Sequence, residues 1–218
     1  MSTAPLSAAS APLAKKPRWS DGFVAYVLSL CENKRAQADL RTGLGRPVDR
    51  CNYLHRHLVR RLPERMHGDS RRAHYAVAAL IAARPRTARL AEAERAEGVE
   101  TAPSWFARAN LGTSLAAAVN AQVIKPDSAE GDLHLFARQS SDALHLRLPA
   151  LTRHLLGGGI AVDWAVLLED LARWDRDRDR IATRWLESYF RTLGPEDVDA
   201  VGEDDTTTAT FDLNEENI

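Results

Sequence analysis

Apolar residues recur every three or four positions through most of this chain, and no segment shows the alternation or β-branched enrichment of a strand. Phe23, Val24, Val27, Leu28, Leu30 and Cys31 predict a first helix, with Ser20 or Asp21 as its cap. Gln37 to Arg41 predict a short second helix, stopped by Gly43, Gly45 and Pro47. Tyr53, Leu54, Leu58 and Leu62 mark a third, ended by Pro63, and Tyr75, Val77, Leu80 and Ile81 a fourth, limited by Pro85. Residues 84–103 are polar, rich in Ala, Glu and Arg, and bounded by prolines, which reads as a loop in preference to a solvated helix.

Helical spacing resumes from Trp105 to Val123, and again over residues 129–139 and 142–156, where Pro149 argues against an unbroken helix. Gly157-Gly158-Gly159 reads as a hinge. Asp163 then caps a helix whose Leu167, Leu168, Leu171 and Trp174 form one stripe, and Ile181, Trp185 and Tyr189 mark the last helix. The alternating run Asp175 to Arg180 between them is self-neutralising and reads as a solvated turn, while Trp164, Trp174 and Trp185 read as core anchors. The fold class is therefore all-α, as two small helical bundles over 20–104 and 105–194, between a flexible leader (1–19) and an acidic disordered tail (195–218).

Charge adds a direction to this picture. The formal net charge of -1 conceals a partition: residues from Pro195 onward hold nine carboxylates and no Lys or Arg, leaving 21 acids against 29 bases in the rest. Between Lys15 and Leu90 there are 17 Lys or Arg against six acids. Such an excess favours a polyanionic partner, and Arg at 25 of the 29 basic positions suits bidentate phosphate contacts. No apolar run reaches membrane-spanning length and no secretory leader is apparent, so no membrane role and a cytoplasmic location are expected.

Catalytic chemistry finds little support. Cys31 and Cys51 lack a CxxC or Cys/His pattern and read as buried small hydrophobes. His55 and His57 project to different sides of a helix and cannot share an ion; His145 and His154 read as packing or surface residues. Asp163, Glu169 and Asp170 are the compact carboxylates a nuclease would need, but Asp163 reads as a cap and the other two as exposed. Gly43-Leu44-Gly45 lacks the Lys-Ser/Thr end of a phosphate loop. Neither a cofactor, a metal nor an enzymatic activity is expected.

A series of weaker marks then falls into order. Ala36-Gln37-Ala38-Asp39-Leu40-Arg41-Thr42-Gly43 is followed by the apolar helix opened by Tyr53, by Ser70-Arg71-Arg72, by Asn110-Leu111-Gly112-Thr113-Ser114-Leu115-Ala116 and by Leu151-Thr152-Arg153-His154-Leu155-Leu156. The run from Val162 to Trp174 and the segment Arg180 to Phe190 close the series. In this order the marks resemble the CasB-type small subunit of the type I-E CRISPR surveillance complex Cascade.

That resemblance implies a non-catalytic, two-bundle helical subunit, present as two copies beside the other Cascade subunits, binding CRISPR RNA, target DNA and the displaced strand to hold the R-loop open. It implies nucleic-acid contacts at Arg41, Arg71, Arg138 and Arg153; Arg72, Arg84 and Arg86 are added from local charge. The chain departs from the family pattern at Thr42 and Thr152, each in place of an arginine, and at Gly131-Asp132, where the family has two more. A free-standing helical DNA-binding regulator, reading sequence around Gly43-Leu44-Gly45, is the alternative, and a helical hydrolase a third reading.

Overall fold

The computed structural model describes residues 18–97 and 103–193, so the acidic tail and most of the leader lie outside it. The helices are α1 (Trp19–Leu30), α2 (Lys34–Arg41), α3 (Asn52–Leu58), α4 (Gly68–Ala82), α5 (Arg86–Glu97), α6 (Leu111–Asn120), α7 (Pro126–Arg138), α8 (Ser141–Gly157) and α9 (Trp164–Thr192). Short 3-10 turns occur at Val48–Arg50, Val59–Arg61 and Trp105–Ala107, and no strand is present among the described residues. The fold is all-α.

Side chains fix most of the helix starts, because the first four N–H groups of a helix have no partner within it. Asn33 accepts from the N–H groups of Arg35 and Ala36 at the head of α2. Asn110 accepts from Thr113 N at 3.1 Å and so delays α6 until Leu111; Trp105, expected to open that helix, lies instead in a 3-10 turn. Asp163 accepts from Ala165 and Val166 N, each at 3.1 Å, as its position ahead of the apolar stripe suggested. Ser20 and Asp21 do not cap α1. Arg18 holds the N-cap position, Ser20 is buried and donates to Glu169, and Asp21 pairs with Arg108.

Two further expectations change. Arg86–Glu97 is a helix, α5, although it falls in the segment expected to be a loop; its high Ala, Glu and Arg content supplies the propensity. α8 runs unbroken through Pro149. The proline forfeits one backbone bond, while Leu144, Leu148, Leu151 and Leu155, all buried, keep the helix seated on the core. The Asp175–Arg180 run, expected as a solvated turn between two helices, is where α9 bends, at its one non-helical residue, Asp177 (φ -124°, ψ 24°).

At Asp177 the helix folds back. In a straight helix residues 15 apart are separated by about 22 Å, yet Trp185 Nε1 donates to Asp170 Oδ2 at 2.8 Å. The rings of Trp174 and Trp185 lie 4.9 Å apart, tilted by 31°, on the inner side of the bend. α9 is thus a helical hairpin, and a solvated charged run is what such a tip requires.

The hairpin and α4 form the centre of the molecule. Buried residues make one cluster from Phe23 to Leu193, shared by helices on both sides of the expected boundary at residue 105. Trp174, Trp185 and Tyr189 are its largest fully buried side chains, each removing 150–250 Å² of surface from water and giving roughly 2–3 kcal/mol. Gly112 brings α6 close to the returning arm of α9: a Cβ there would overlap the Trp185 carbonyl. Cys31 and Cys51 are both buried and unpaired, and burial raises the pKa of each thiol.

Candidate nucleic-acid interface

The carboxylates that could have built a metal centre are each taken by a structural partner. Arg108 donates to both oxygens of Asp163 at 2.6 Å and reaches Asp21 of α1 at 2.5 Å, joining the starts of α1 and α9. Glu169 accepts from Arg18, Ser20 and Arg173. Asp170, expected to be exposed, is instead 4% exposed, because the hairpin closes over it and supplies Trp185 and Arg184 as donors. Burial pushes its carboxyl above the usual range, with Arg184 and Trp185 opposing. No group of three His, Cys, Asp or Glu residues suited to a metal ion occurs among the described residues.

The histidines are likewise engaged. His55 meets the Tyr75 hydroxyl at 2.7 Å, and His57 meets Asp39 at 2.9 Å, a bond that lowers the Asp39 pKa. His145 is buried with Nδ1 on the Ser141 carbonyl, whereas His154 is exposed. Gly43-Leu44-Gly45, the turn on which a sequence-reading regulator would depend, is packed: Gly43 lies beneath Leu54, and Gly45 (φ 65°) lies against Leu146 of α8.

The seven arginines singled out from the sequence divide by environment. Arg41, at the C-terminal turn of α2, Arg86, at the start of α5, Arg138, at the end of α7, and Arg153, in α8, are exposed. The other three are held within the fold. Arg71 donates to the Glu64 carbonyl at 2.8 Å, Arg72 pairs with Asp142 and ties α4 to α8, and Arg84 is buried with Nε on the Ile81 carbonyl at 2.8 Å.

Helix α8 relates three of the exposed set, Arg41, Arg86 and Arg153. Leu146, Ala150, Arg153 and Gly157 follow each other at three- or four-residue spacing on one outward face. At its leading end that face meets the α2–α3 connection through Leu146 and Gly45, which brings in Arg46, and Arg41 one turn before it. At its far end Leu156 and Gly157 line the same small cavity as Thr87 and Ala88, next to Arg86. Arg147 adds another exposed guanidinium on α8. A 17-residue helix is about 25 Å long, so positive charge is spread over the length of several nucleotides.

Sequence reasoning did not single out a second basic surface. Arg56, Arg60, Arg61 and Arg65 are all exposed on α3 and the turn after it. Arg61 lies 5.7 Å from the Trp19 ring and 5.5 Å from that of Tyr26, and Arg56 lies 5.9 Å from that of Tyr53. Trp19 and Tyr53 are about half exposed. The available signal was the density of arginine between residues 56 and 65, which the apolar pattern of the third helix obscured.

No curated relative matches the chain. A solved chain from a "CRISPR RNA-guided surveillance complex" is 36% identical, with a TM-score of 0.67, over 85% of this chain and 98% of its own length. Another, from the same kind of complex in a "pre-nicking" state, is 38% identical with a TM-score of 0.70 over the same shares. The crystal structure of M. ruber CasB, at 23% identity and a TM-score of 0.64, covers 84% of this chain and 98% of its own and shares the fold. With the family profile of CRISPR-associated protein Cse2 matching residues 36–190, the chain belongs to the Cse2 family.

Proposed function

We propose that this protein is a non-catalytic subunit of a type I-E CRISPR RNA-guided surveillance complex, in which it binds guide RNA, target DNA and the displaced strand through their sugar-phosphate backbones. Two copies would sit beside the other Cascade subunits. The observation that carries the binding reading is the arginine-bearing face of α8, continued by Arg41 and Arg46 at one end and Arg86 at the other. The engagement of Asp163, Glu169 and Asp170 by arginine, serine and tryptophan supports a role in binding instead of cleavage.

Backbone contacts have the right energetic scale for this role. Exchanging a DNA duplex for an RNA–DNA duplex plus a free strand is nearly balanced, so modest protein contacts to the displaced strand shift the equilibrium. Arg41, Arg86, Arg138 and Arg153 are the side chains offered to phosphate, while Arg72 ties α4 to α8, which presents Arg153, and Arg71 and Arg84 bond to nearby backbone carbonyls. The test is R-loop lifetime in a reconstituted complex. Replacing Arg41 and Arg153 with alanine shortens it without changing subunit composition; an unchanged lifetime refutes the assignment.

A further inference from the structure

The arginine surface on α3 has charges that the fold leaves unanswered. Among the described residues no carboxylate pairs with Arg60, Arg61 or Arg65, and Arg56 has only Asp39, at 3.8 Å, which His57 already engages at 2.9 Å. The chain also contains a segment of opposite sign: residues 194–218 carry nine carboxylates and no Lys or Arg. The described structure ends at Leu193, immediately before it.

The hairpin in α9 determines where that segment departs. Because α9 folds back at Asp177, its last turn returns to its first: Arg191 and Thr192 line one cleft with Val166 and Arg108. Arg108 in turn grips Asp21 of α1, two residues from Trp19, and Trp19 lies under Arg61. The exit point and the arginine surface therefore both adjoin the first turn of α1. A 25-residue segment can extend to about 80 Å, well beyond a fold whose radius of gyration is about 16 Å.

We propose that residues 194–218 dock in cis on Arg56, Arg60, Arg61 and Arg65, occupying this surface as a polyanion would. Tethering gives the segment an effective concentration near the millimolar range, so weak ion pairs suffice. Their strength falls with salt, since exposed pairs are screened over about 8 Å at physiological ionic strength. Docking requires no nucleic acid and no other subunit, so it stands or falls separately from the role in the complex.

The test uses the full chain carrying Ile218→Cys. Cys31 and Cys51 are 6% and 1% exposed, which leaves the new thiol as the reactive site for a nitroxide spin label. In low salt, paramagnetic broadening of amide signals should be strongest at Arg60, Arg61 and Arg65. It should disappear in 1 M salt, and also in a second full-length chain whose nine tail carboxylates are replaced by amides. Broadening centred on Arg153 and Arg86, uniform broadening, or broadening at Arg60 to Arg65 that persists in the amide variant would overturn the proposal.

Discussion

Asp170 offers a sharp test of the fold, because its role can be separated atom by atom. Asp170→Ala removes the acceptor for Trp185 Nε1–H, which lies within the closed hairpin. A buried donor left without a partner costs about 1–3 kcal/mol. Loss of Arg184 as a partner adds less, since its side chain is 46% exposed and water can replace the carboxylate. Against these losses stands the cost of burying a charge, which burial of the carboxyl already signals by raising its pKa.

The balance for alanine is about 2–3 kcal/mol of destabilisation, or about 5–10 °C in Tm for a chain of this size. Asp170→Asn keeps an oxygen for Trp185 and removes the buried charge, so its Tm should stay within about 3 °C of wild type. The folded-state pKa of Asp170 is raised, so the native state binds more protons than the unfolded state between the unfolded pKa and the folded one. Wild type therefore loses stability relative to Asp170→Asn as pH rises through that window. Thermal unfolding followed by circular dichroism at several pH values measures all three quantities. An alanine variant within 1 °C of wild type, or an asparagine variant falling as far as alanine, would refute this role of the Asp170–Trp185 bond.

Three other outcomes follow from the same geometry. Arg41→Ala with Arg153→Ala should weaken single-stranded DNA binding without lowering Tm; if about four phosphates are contacted, the log–log salt slope of the native protein is near -3, and the double variant should move it towards -1.5. Gly112→Ala, which forces a Cβ into the Trp185 carbonyl, should cost about 3 kcal/mol or prevent folding, readable as a Tm lower by about 6–12 °C. His74 and His145 have pKa values lowered by burial, so the unfolded state binds more protons below about pH 6.5; stability should fall on acidification with a slope of up to about 1.4 kcal/mol per pH unit for each residue, and His145→Gln should reduce the slope.

Helix locations were largely legible in the sequence because burial imposes a 3.6-residue period, visible at Phe23/Val27, Leu54/Leu58 and Ile181/Trp185/Tyr189. Features depending on long-range partners were not. α5 has little apolar periodicity to announce it, and Pro149 sits in α8 because tertiary packing holds the leucines around it. Asp170 looked exposed by helical spacing, since spacing describes one helix and the α9 hairpin folds a second arm over it. The Asp/Arg run that marks the hairpin tip was correctly polar, but its sharp return is visible only through Trp174 and Trp185.

The candidate interface was legible in charge and much less so in position. Arg41, Arg86, Arg138 and Arg153 project outward, whereas Arg84 caps a helix end from within the fold, a distinction that local charge density cannot make. The Gly45–Leu146 contact, which brings Arg46 next to α8, joins residues a hundred positions apart with no shared pattern. Arginine between residues 56 and 65 was counted as part of a basic segment, while its grouping with Trp19 and Tyr26 required α1 and α3 to be packed together.

The most direct test of a role in an RNA-guided complex is purification of the tagged protein from its native host, followed by sequencing of the RNA it retains. Short repeat-derived RNA should be recovered with several other CRISPR-associated subunits, and released from Arg41→Ala/Arg153→Ala complexes at lower salt than from wild type. Recovery of the protein alone, free of RNA and of partner subunits, would contradict that role.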